Sequence, residues 1–464
     1  MTNQTTKTSS VQQETSREPV VWPGVTIGFW AAIAMWLVWY PLHLPGLQLS
    51  PSITAPILLV VMIGMIARGT RLIKTRALVG GLIAGLTCSL INLLLLGNTL
   101  TQKDPITAEI SFRENAPQIA GGFFLVSIVA GIIAGVIGSQ LSKRAVHPQP
   151  NWLMRFAIAA VAALVPLVAI GGAVTSAGAG MAVPDWPGTY GQNMFLYPIT
   201  LMEEAVDSRI FLEHTHRLFG TLVGLAVLTL AICTFTNRSS RFSKVLAGAV
   251  FVAVCIQGYF GAIRVEEISP AFGVIHGVFG QFILAAAVVL AASFSISWND
   301  KLPVNMEAAT GTRKWAALAI GALTVQLLMA VIYRHFGSGH ALMTHIGFSL
   351  IALSMTVILA FNLMKIDKAS GGSRMFKRMG MFLLHGVSLQ MVLGILSLIF
   401  RPGGGGEERV IMHDQLEGAE AVPVAPVLFA TAHQALGASL LACSILATAW
   451  TFRVKPMTEN LDDL

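Results

Sequence analysis

The sequence predicts an all-α polytopic membrane protein with about twelve transmembrane helices. Hydrophobic residues make up 54% of the 464 residues, charged residues only 11%, and the mean hydropathy is +0.70. This composition excludes an ordinary soluble globular protein. Apolar runs recur along the whole chain, and a run of about 20 residues is long enough to cross the hydrocarbon layer as a helix.

Twelve apolar runs are predicted to be the membrane spans. The second run is the weakest, because it is short and carries Pro51 and Pro56, which leaves a count of eleven or a re-entrant segment open. The predicted spans are 22–42, 51–67, 77–98, 119–141, 154–176, 214–236, 244–264, 272–296, 315–334, 344–364, 379–400 and 426–451.

The distribution of positive charge predicts the orientation of the chain. Residues 1–21 are rich in Ser, Thr and Gln and lack the apolar core of a secretory signal, so they are expected to form a disordered tail. With a cytoplasmic amino terminus, 22 of the 30 Lys and Arg residues lie on the cytoplasmic side and 8 lie outside. Both termini are therefore expected in the cytoplasm, with the protein in the inner (plasma) membrane. Topology accounts for the net charge of +7, and no nucleic-acid partner is expected.

The four cysteines indicate neither a disulfide nor a thiolate metal site. All of them fall inside predicted helices, and no pair has CxxC spacing: Cys88, Cys233, Cys255 and Cys443.

An internal repeat divides the chain into blocks. CIQGYFGAIRV places Gln257 four residues before Gly261, and SLQMVLGILSL repeats that spacing with Gln390 and Gly394. Each of these runs is followed by a helix with one histidine, and each is preceded by a helix that opens on another histidine. The chain is thus divided into a tail at 1–21, an amino-terminal four-helix block of unknown role at 22–150, two pseudo-symmetric four-helix units at 151–300 and 301–453, and a cytoplasmic tail at 454–464.

Four histidines occupy matching places in the two units, and they are the candidate ligands. A single histidine within the membrane is commonly only a satisfied polar residue between helices. Four in repeated positions favour heme, because paired imidazoles on facing helices of a bundle hold heme iron from its two axial sides. Zinc is the weaker alternative, since no cysteine accompanies the histidines and each unit offers too few ligands. The pairs are His216 with His276, and His345 with His433.

The stretch LEHTHRLFG adds further polar groups to the first unit. Glu213 and His216 are three residues apart and share a helix face, whereas His214 points elsewhere. Glu213 is either an anion favoured by a helix amino terminus or a carboxylate beside a reactive group of a bound heme. Arginines at the outer helix ends are either interfacial anchors or partners of heme propionates, with Arg217 and Arg334 the preferred propionate partners over Arg264 and Arg401.

These motifs resemble the heme A synthases, membrane enzymes that convert heme O to heme A for cytochrome oxidase. The resemblance rests on GGAVTSAGAGMAVPDWPGTYGQ at 171–192, on ExxHR from Glu213 to Arg217, on the Gln-x-x-x-Gly helices and on the later histidines. It covers about 154–451. The family is similarly built from two pseudo-symmetric four-helix halves.

The resemblance implies a role for each histidine pair. His345 and His433 would be the axial ligands of a heme b cofactor, and His216 and His276 would hold the substrate heme O. Glu213 would lie beside the ring methyl that is hydroxylated stepwise to a formyl group, as proton acceptor or charge stabiliser. The implied partners are a membrane electron donor or acceptor, heme O synthase and a second copy of the chain.

Two features depart from the family pattern. Some bacterial members carry a cysteine pair in the first outer loop, and 176–213 contains no cysteine. The block at 22–141 has no place in an eight-helix protein. A di-heme b-type electron carrier that reacts with quinol is the main alternative, because it would use the same four histidines. A transporter is disfavoured, since charged residues cluster at helix ends rather than at mid-membrane.

Overall fold

The structure is a computed structural model, and it describes residues 20–44, 46–73, 76–103, 109–142, 150–198, 201–202, 207–370, 374–401 and 411–457. Within these ranges twelve helices are long and apolar enough to cross a membrane, which confirms the all-α polytopic class and the predicted count.

The amino-terminal block contains α1 (Val21–Leu42), α2 (Pro51–Thr70), α3 (Ala77–Leu95) and α4 (Ala116–Ser142). The first unit contains α5 (Trp152–Ser176), α6 (Ser208–Thr236), α7 (Arg241–Glu266) and α8 (Pro270–Ser293). The second unit contains α9 (Met306–Phe336), α10 (Gly339–Ala369), α11 (Met375–Ile399) and α12 (Val424–Thr451).

The weakest predicted span is a full helix. α2 runs for 20 residues without a break, and Pro51 occupies its first turn, where the missing N–H costs no hydrogen bond. Neither eleven spans nor a re-entrant segment is observed. The disordered tail predicted for 1–21 lies outside the described residues up to 19, and α1 already begins at Val21.

Several helices extend beyond their apolar runs, because a hydropathy pattern does not predict the polar residues at helix ends. α6 begins at Ser208 rather than at 214, and the side chain of Asp207 caps it by accepting a hydrogen bond from the Arg209 N–H at 2.8 Å. Glu213 therefore lies in the second turn of α6. The attraction of a helix amino terminus for an anion is strongest in the first turn, so it does not account for Glu213.

Each four-helix unit is a closed ring. In the first unit every helix packs on the next, and α5 closes the ring against α8. In the second unit α9 to α12 pack in the same order, and α9 closes the ring against α12. The two rings meet where α5 and α8 pack against α12, and where α8 packs against α9.

Short strands tie the loops together on both faces. On the face opposite the histidines β5 (Leu302–Val304) pairs in parallel with β6 (Val454–Pro456), so the segment expected to be a cytoplasmic tail begins with a strand. The outer loops carry two antiparallel pairs. These are β1 (Thr101–Lys103) with β2 (Ile110–Phe112), and β3 (Gly188–Thr189) with β4 (Gln192–Asn193).

The amino-terminal block is held by contact between small residues. Gly81 and Gly85 of α3 face Gly131 and Gly135 of α4, and a Cβ added at any of the four would overlap the backbone of the opposite helix. Membrane helices gain packing energy from such close approach because lipid provides no hydrophobic driving force between them. The block then docks on the first unit through α1, which packs on α5 and α6.

We expect Gly131→Leu to destabilise the protein, because the new side chain must force α3 and α4 apart. Overpacking of this kind costs about 1–3 kcal/mol. Gly122→Leu is the matched control on the same helix, since a Cβ there meets no atom within 4 Å. Thermal unfolding in detergent measures the difference, and equal midpoints for the two variants would contradict the close α3–α4 contact.

Candidate functional site

The four candidate histidines lie at one end of the two rings. Each falls within the first ten residues of its helix, on α6, α8, α10 and α12. These helices all start at the outer side in the orientation that the positive charges predict. The imidazoles are therefore no deeper than about 15 Å from the outer helix ends, at 1.5 Å of rise per residue.

Three of the four histidines face the backbone oxygen of a glutamine on the preceding helix, and two of these glutamines belong to the Gln-x-x-x-Gly repeat. His276 Nδ1 lies 3.1 Å from the backbone oxygen of Gln257, and His433 Nδ1 lies 3.1 Å from the backbone oxygen of Gln390. A helix carbonyl has a second lone pair, so it can accept this bond beside its own helical one. An Nδ1–H that donates to a carbonyl leaves Nε2 unprotonated, which is the usual state of a metal-binding imidazole, and Nε2 of His433 lies 3.4 Å from the side-chain nitrogen of Gln390.

The Gln-x-x-x-Gly spacing of the repeat has a steric reason. A Cβ at Gly261 would lie 3.2 Å from Cε1 of His276, and a Cβ at Gly394 would lie 2.9 Å from Cε1 of His433. The glutamine supplies the acceptor, and the glycine one turn later leaves room for the ring. We call this arrangement the imidazole socket.

The socket is reciprocal, because each histidine is also followed by a glycine four residues later. A Cβ at Gly280 would lie 2.9 Å from the side-chain nitrogen of Gln257, and one at Gly437 would lie 3.0 Å from that of Gln390. In the first unit this nitrogen donates to the backbone oxygen of His276 at 2.9 Å. Two small residues and two polar ones thus fix the contact between neighbouring helices.

The other two histidines differ from each other. His345 Nδ1 lies 3.0 Å from the backbone oxygen of Gln326 on α9, so it is oriented in the same way as His276 and His433. His216 packs against Gly171 of α5, where a Cβ would lie 3.0 Å from its Cε1. Within the described ranges the buried Nδ1 of His216 has no hydrogen-bond partner.

The spacing of the second pair suits one iron ion between two imidazoles. The ring centroids of His345 and His433 are 6.1 Å apart, with the ring planes at 77°. A bond from metal to imidazole nitrogen is about 2 Å long, and the ring centre lies roughly 1 Å further on, so two axial imidazoles stand about 6 Å apart.

The first pair lies beside open space. Gly220 and Gly224 follow His216 by one and two turns on the same face of α6, and a Cβ at either would meet no atom within 4 Å. A flat ligand bound to His216 has room along this stripe. No group of three or more His, Cys, Asp or Glu side chains that could hold a metal ion is found among the described residues. Two imidazoles per site fit heme, whose ring supplies the other four nitrogens, better than they fit zinc.

Glu213 forms a buried ion pair in the first unit. Its Oε1 accepts from Arg217 Nε at 3.0 Å, and both side chains are 7% exposed. The carboxylate also interacts electrostatically with His276. Glu213 precedes His216 by about one turn of α6, so the ion pair lies at the level of the first histidine pair.

Arg217 binds the outer loop that carries the PDWP motif. Its two terminal nitrogens donate to the backbone oxygens of Val183 at 3.0 Å, Asp185 at 2.5 Å and Gly188 at 3.1 Å. All three guanidinium nitrogens are thus engaged by protein acceptors. Arg217 joins Glu213 to the loop, and the structure does not leave it open toward a propionate.

The loop is further held by its own side chains. The Asp185 carboxylate accepts from the backbone N–H groups of Tyr190 at 2.7 Å and Gly191 at 2.9 Å. The Tyr190 hydroxyl donates to the backbone oxygen of Ala182 at 2.7 Å, and burial raises the pKa of this tyrosine to about 12, which keeps the donor protonated. His214, which the sequence ranks below His216 as a ligand, is fully buried with Nδ1 3.1 Å from the Thr189 hydroxyl.

The remaining arginines differ in how far they are engaged. The guanidinium of Arg264 lies over Gly180, interacts electrostatically with His216 and His276, and has no hydrogen-bond acceptor in the described part of the chain. Arg334 bonds the Ser176 hydroxyl and interacts electrostatically with His433. Arg401 stacks over the ring of Tyr333 at 5.6 Å.

Two polar residues of the site carried too weak a sequence signal to be singled out. Gln326 acts through its backbone oxygen, which every residue type has. The only sequence feature that distinguishes it is its position as a polar residue in an apolar run before His345. Arg209 is buried and joins the loops of both units, donating to the backbone oxygens of Ala177 at 2.7 Å and Glu420 at 3.2 Å.

Comparison with known proteins finds similarity over part of the chain that includes the first unit. Residues 154–333 match the family profile described as "Cytochrome oxidase assembly protein". A protein named "Heme A synthase" from Methylorubrum populi is 24% identical over 200 residues, which cover 40% of this chain and 51% of that relative. The match thus spans about half the length of the relative. These findings confirm the resemblance that the motifs predict, and the profile match ends at the last helix before His345.

We expect Gly261→Val to remove a heme from the first unit, because the added side chain displaces the ring of His276 from its socket. Gly258→Val is the control on the same helix, since a Cβ at that position meets no atom within 4 Å. Heme content per protein, measured from the absorption spectrum of the purified protein, should fall toward half in the first variant only. The same heme content in both variants would contradict the socket.

Proposed function

We propose that the protein oxidises a ring methyl of heme O to a formyl group and so makes heme A. The observation that carries this proposal is the position of Glu213, which is buried beside the first histidine pair and under the PDWP loop. The helix that carries His345 has no ExxHR, so the second pair has no carboxylate at the place that Glu213 takes before His216. An electron carrier with two equivalent hemes would need no such difference. The resemblance to heme A synthases supports the same conclusion.

In this proposal the two pairs bind different hemes. His216 and His276 hold the substrate heme O, for which the open stripe at Gly220 and Gly224 leaves space. His345 and His433 hold heme b, which when bound supplies one-electron transfer to or from a membrane electron carrier. The 6.1 Å separation of the second pair supports this assignment.

Glu213 is the proposed catalytic residue. With water as the source of oxygen, each hydroxylation of the methyl carbon releases two protons and an electron pair, the electrons passing to the membrane electron acceptor, and loss of water from the doubly hydroxylated carbon leaves the formyl group. A buried carboxylate beside the carbon can accept a proton or stabilise developing positive charge. Arg217 holds Glu213 in place through the 3.0 Å bond to its Oε1.

One arginine serves each heme in this proposal. Arg264, free of acceptors in the described residues, is assigned to a propionate of the substrate heme, and Arg334 to one of heme b. Guanidinium groups suit carboxylates because their parallel N–H groups match the two oxygens. Arg217, expected from the sequence to bind a propionate, is assigned to Glu213 and the loop instead.

The cellular setting follows from the same proposal. We place the protein in the inner membrane with both termini in the cytoplasm, where heme O synthase would deliver the substrate. A membrane electron donor or acceptor would exchange electrons through heme b, and a second copy of the chain remains an expected partner.

The decisive experiment is expression in a host that supplies heme O, followed by extraction and mass analysis of the pigments. We expect heme A with residual heme O, together with heme B from the second site. Heme B alone, with heme O never converted, would contradict the proposal and favour the di-heme carrier of the quinol type.

We expect Glu213→Gln to retain both hemes while heme A formation falls by about 10²–10⁴-fold, the usual contribution of general acid–base catalysis. The amide oxygen can still accept from Arg217, so the loop keeps its anchor. Glu267→Gln, at an exposed position beyond α7, is the control and should convert heme O normally. Loss of all heme from Glu213→Gln would show that the carboxylate is structural.

A further inference from the structure

The amino-terminal block contacts the back of the helix that carries the candidate catalytic residue. Three large side chains of α1 point at the first unit, and two of them are almost fully buried, with Trp36 1% and Trp39 6% exposed. The third is Tyr40, one residue further along α1. They lie in the outer third of the helix, at the level of the site.

The contacts are made ring to ring. Trp36 meets Phe219 of α6 edge to face, with ring centroids 5.6 Å apart. Phe211, two turns earlier on α6, stacks with Trp39 at 6.1 Å and with Tyr40 at 5.9 Å. Aromatic pairs at these separations have preferred geometries, so they fix orientation as well as distance.

The α6 residues in this contact form one face of the helix. Phe211, Thr215 and Phe219 are spaced by four and are fully buried, and the Tyr40 hydroxyl faces that of Thr215. Glu213 lies on the opposite side of the helix, and His216 lies about a quarter turn from the aromatic face, between that face and the side of Glu213. A rotation of α6 about its axis would therefore disturb the aromatic face and the site together.

The same block also holds the loop that covers the site. The Thr101 hydroxyl, at the start of β1, donates to the backbone oxygen of Leu196 at 2.6 Å. Gly97, just before β1, approaches so closely that a Cβ there would lie 2.9 Å from the Phe195 oxygen. Trp36 is itself fixed, because its indole N–H donates to the side-chain oxygen of Asn92 on α3 at 3.1 Å.

We propose that the amino-terminal block positions the substrate site: Trp36, Trp39 and Tyr40 set the rotation and depth of α6, and Thr101 sets the covering loop. The role in catalysis rests on the proposed function, whereas the effect on α6 does not. The second unit provides the comparison, since its equivalent helix α10 packs on α9 and α11 of its own unit.

The test replaces the two tryptophans together, Trp36→Leu with Trp39→Leu, in the full-length protein. The control is Trp30→Leu on the same helix, because the Trp30 indole donates to the Arg155 backbone oxygen of α5 at 3.1 Å, far from the aromatic face. Both variants weaken the docking of the block, but only the double variant touches α6.

Three measurements separate positioning from general stability. In the double variant we expect faster amide exchange in the outer turns of α6 and not of α10, and a changed electron paramagnetic resonance signal for the heme of His216 and His276 alone. Heme A formation per bound heme should fall, by up to about a hundredfold for a displacement near 1 Å. Trp30→Leu should leave all three unchanged.

The proposal is overturned if exchange in α6 is unchanged, if both heme signals change alike, or if Trp30→Leu has the same effects. Amide exchange is read on the protein itself, so this outcome stands whether or not heme O is converted. Absence of heme A in the unaltered protein, with the exchange difference present, would count against the proposed function and leave the positioning of α6 supported.

Discussion

The hydrogen bond from a buried imidazole to the backbone oxygen of a neighbouring helix is the contact on which the two units depend. In lipid a polar ring must find its partner within the protein, since no water is available. A carbonyl on the next helix satisfies the ring at 3.0–3.1 Å in three of the four cases. This bond demands that two helix backbones lie close together, which explains why glycines accompany the histidines and glutamines of α7, α8, α11 and α12.

The imidazole socket uses backbone oxygens and glycines. The other residues of each four-helix unit can therefore differ between the two units. The first unit adds Glu213, its partner Arg217 and a loop that Arg217 binds through three carbonyls. Among the described residues of the second unit no ion pair of this kind is found, and the ring centroids of its two imidazoles are 6.1 Å apart. Two four-helix units with the same imidazole socket can thus hold one heme as a reactant and another as an electron carrier. The difference between the units lies in residues outside the socket.

The sequence predicted the parts of this arrangement that depend on side-chain type and period. Apolar length gave the twelve spans, and the repeated Gln, Gly and His gave the two units before any contact was known. The carbonyl of Gln326 and the loop oxygens bound by Arg217 could not be predicted, because every residue has a backbone oxygen. The start of α6 at Ser208 was missed for a related reason, since capping by Asp207 is local and carries no hydropathy signal.

The unequal support of α6 and α10 matches the difference in packing along their two faces. Gly220 and Gly224 leave one side of α6 without packing, whereas the matching positions of α10 carry side chains, Ser349 and Leu353. Glycine also lowers the intrinsic stability of a helix. At the level of its histidine, α6 therefore lacks both side-chain packing on one side and part of its intrinsic helix stability. Packing on its other side must supply the missing constraint, and Trp36, Trp39 and Tyr40 of α1 lie there. The amino-terminal block thus packs on the side of α6 that lies opposite its unpacked glycines.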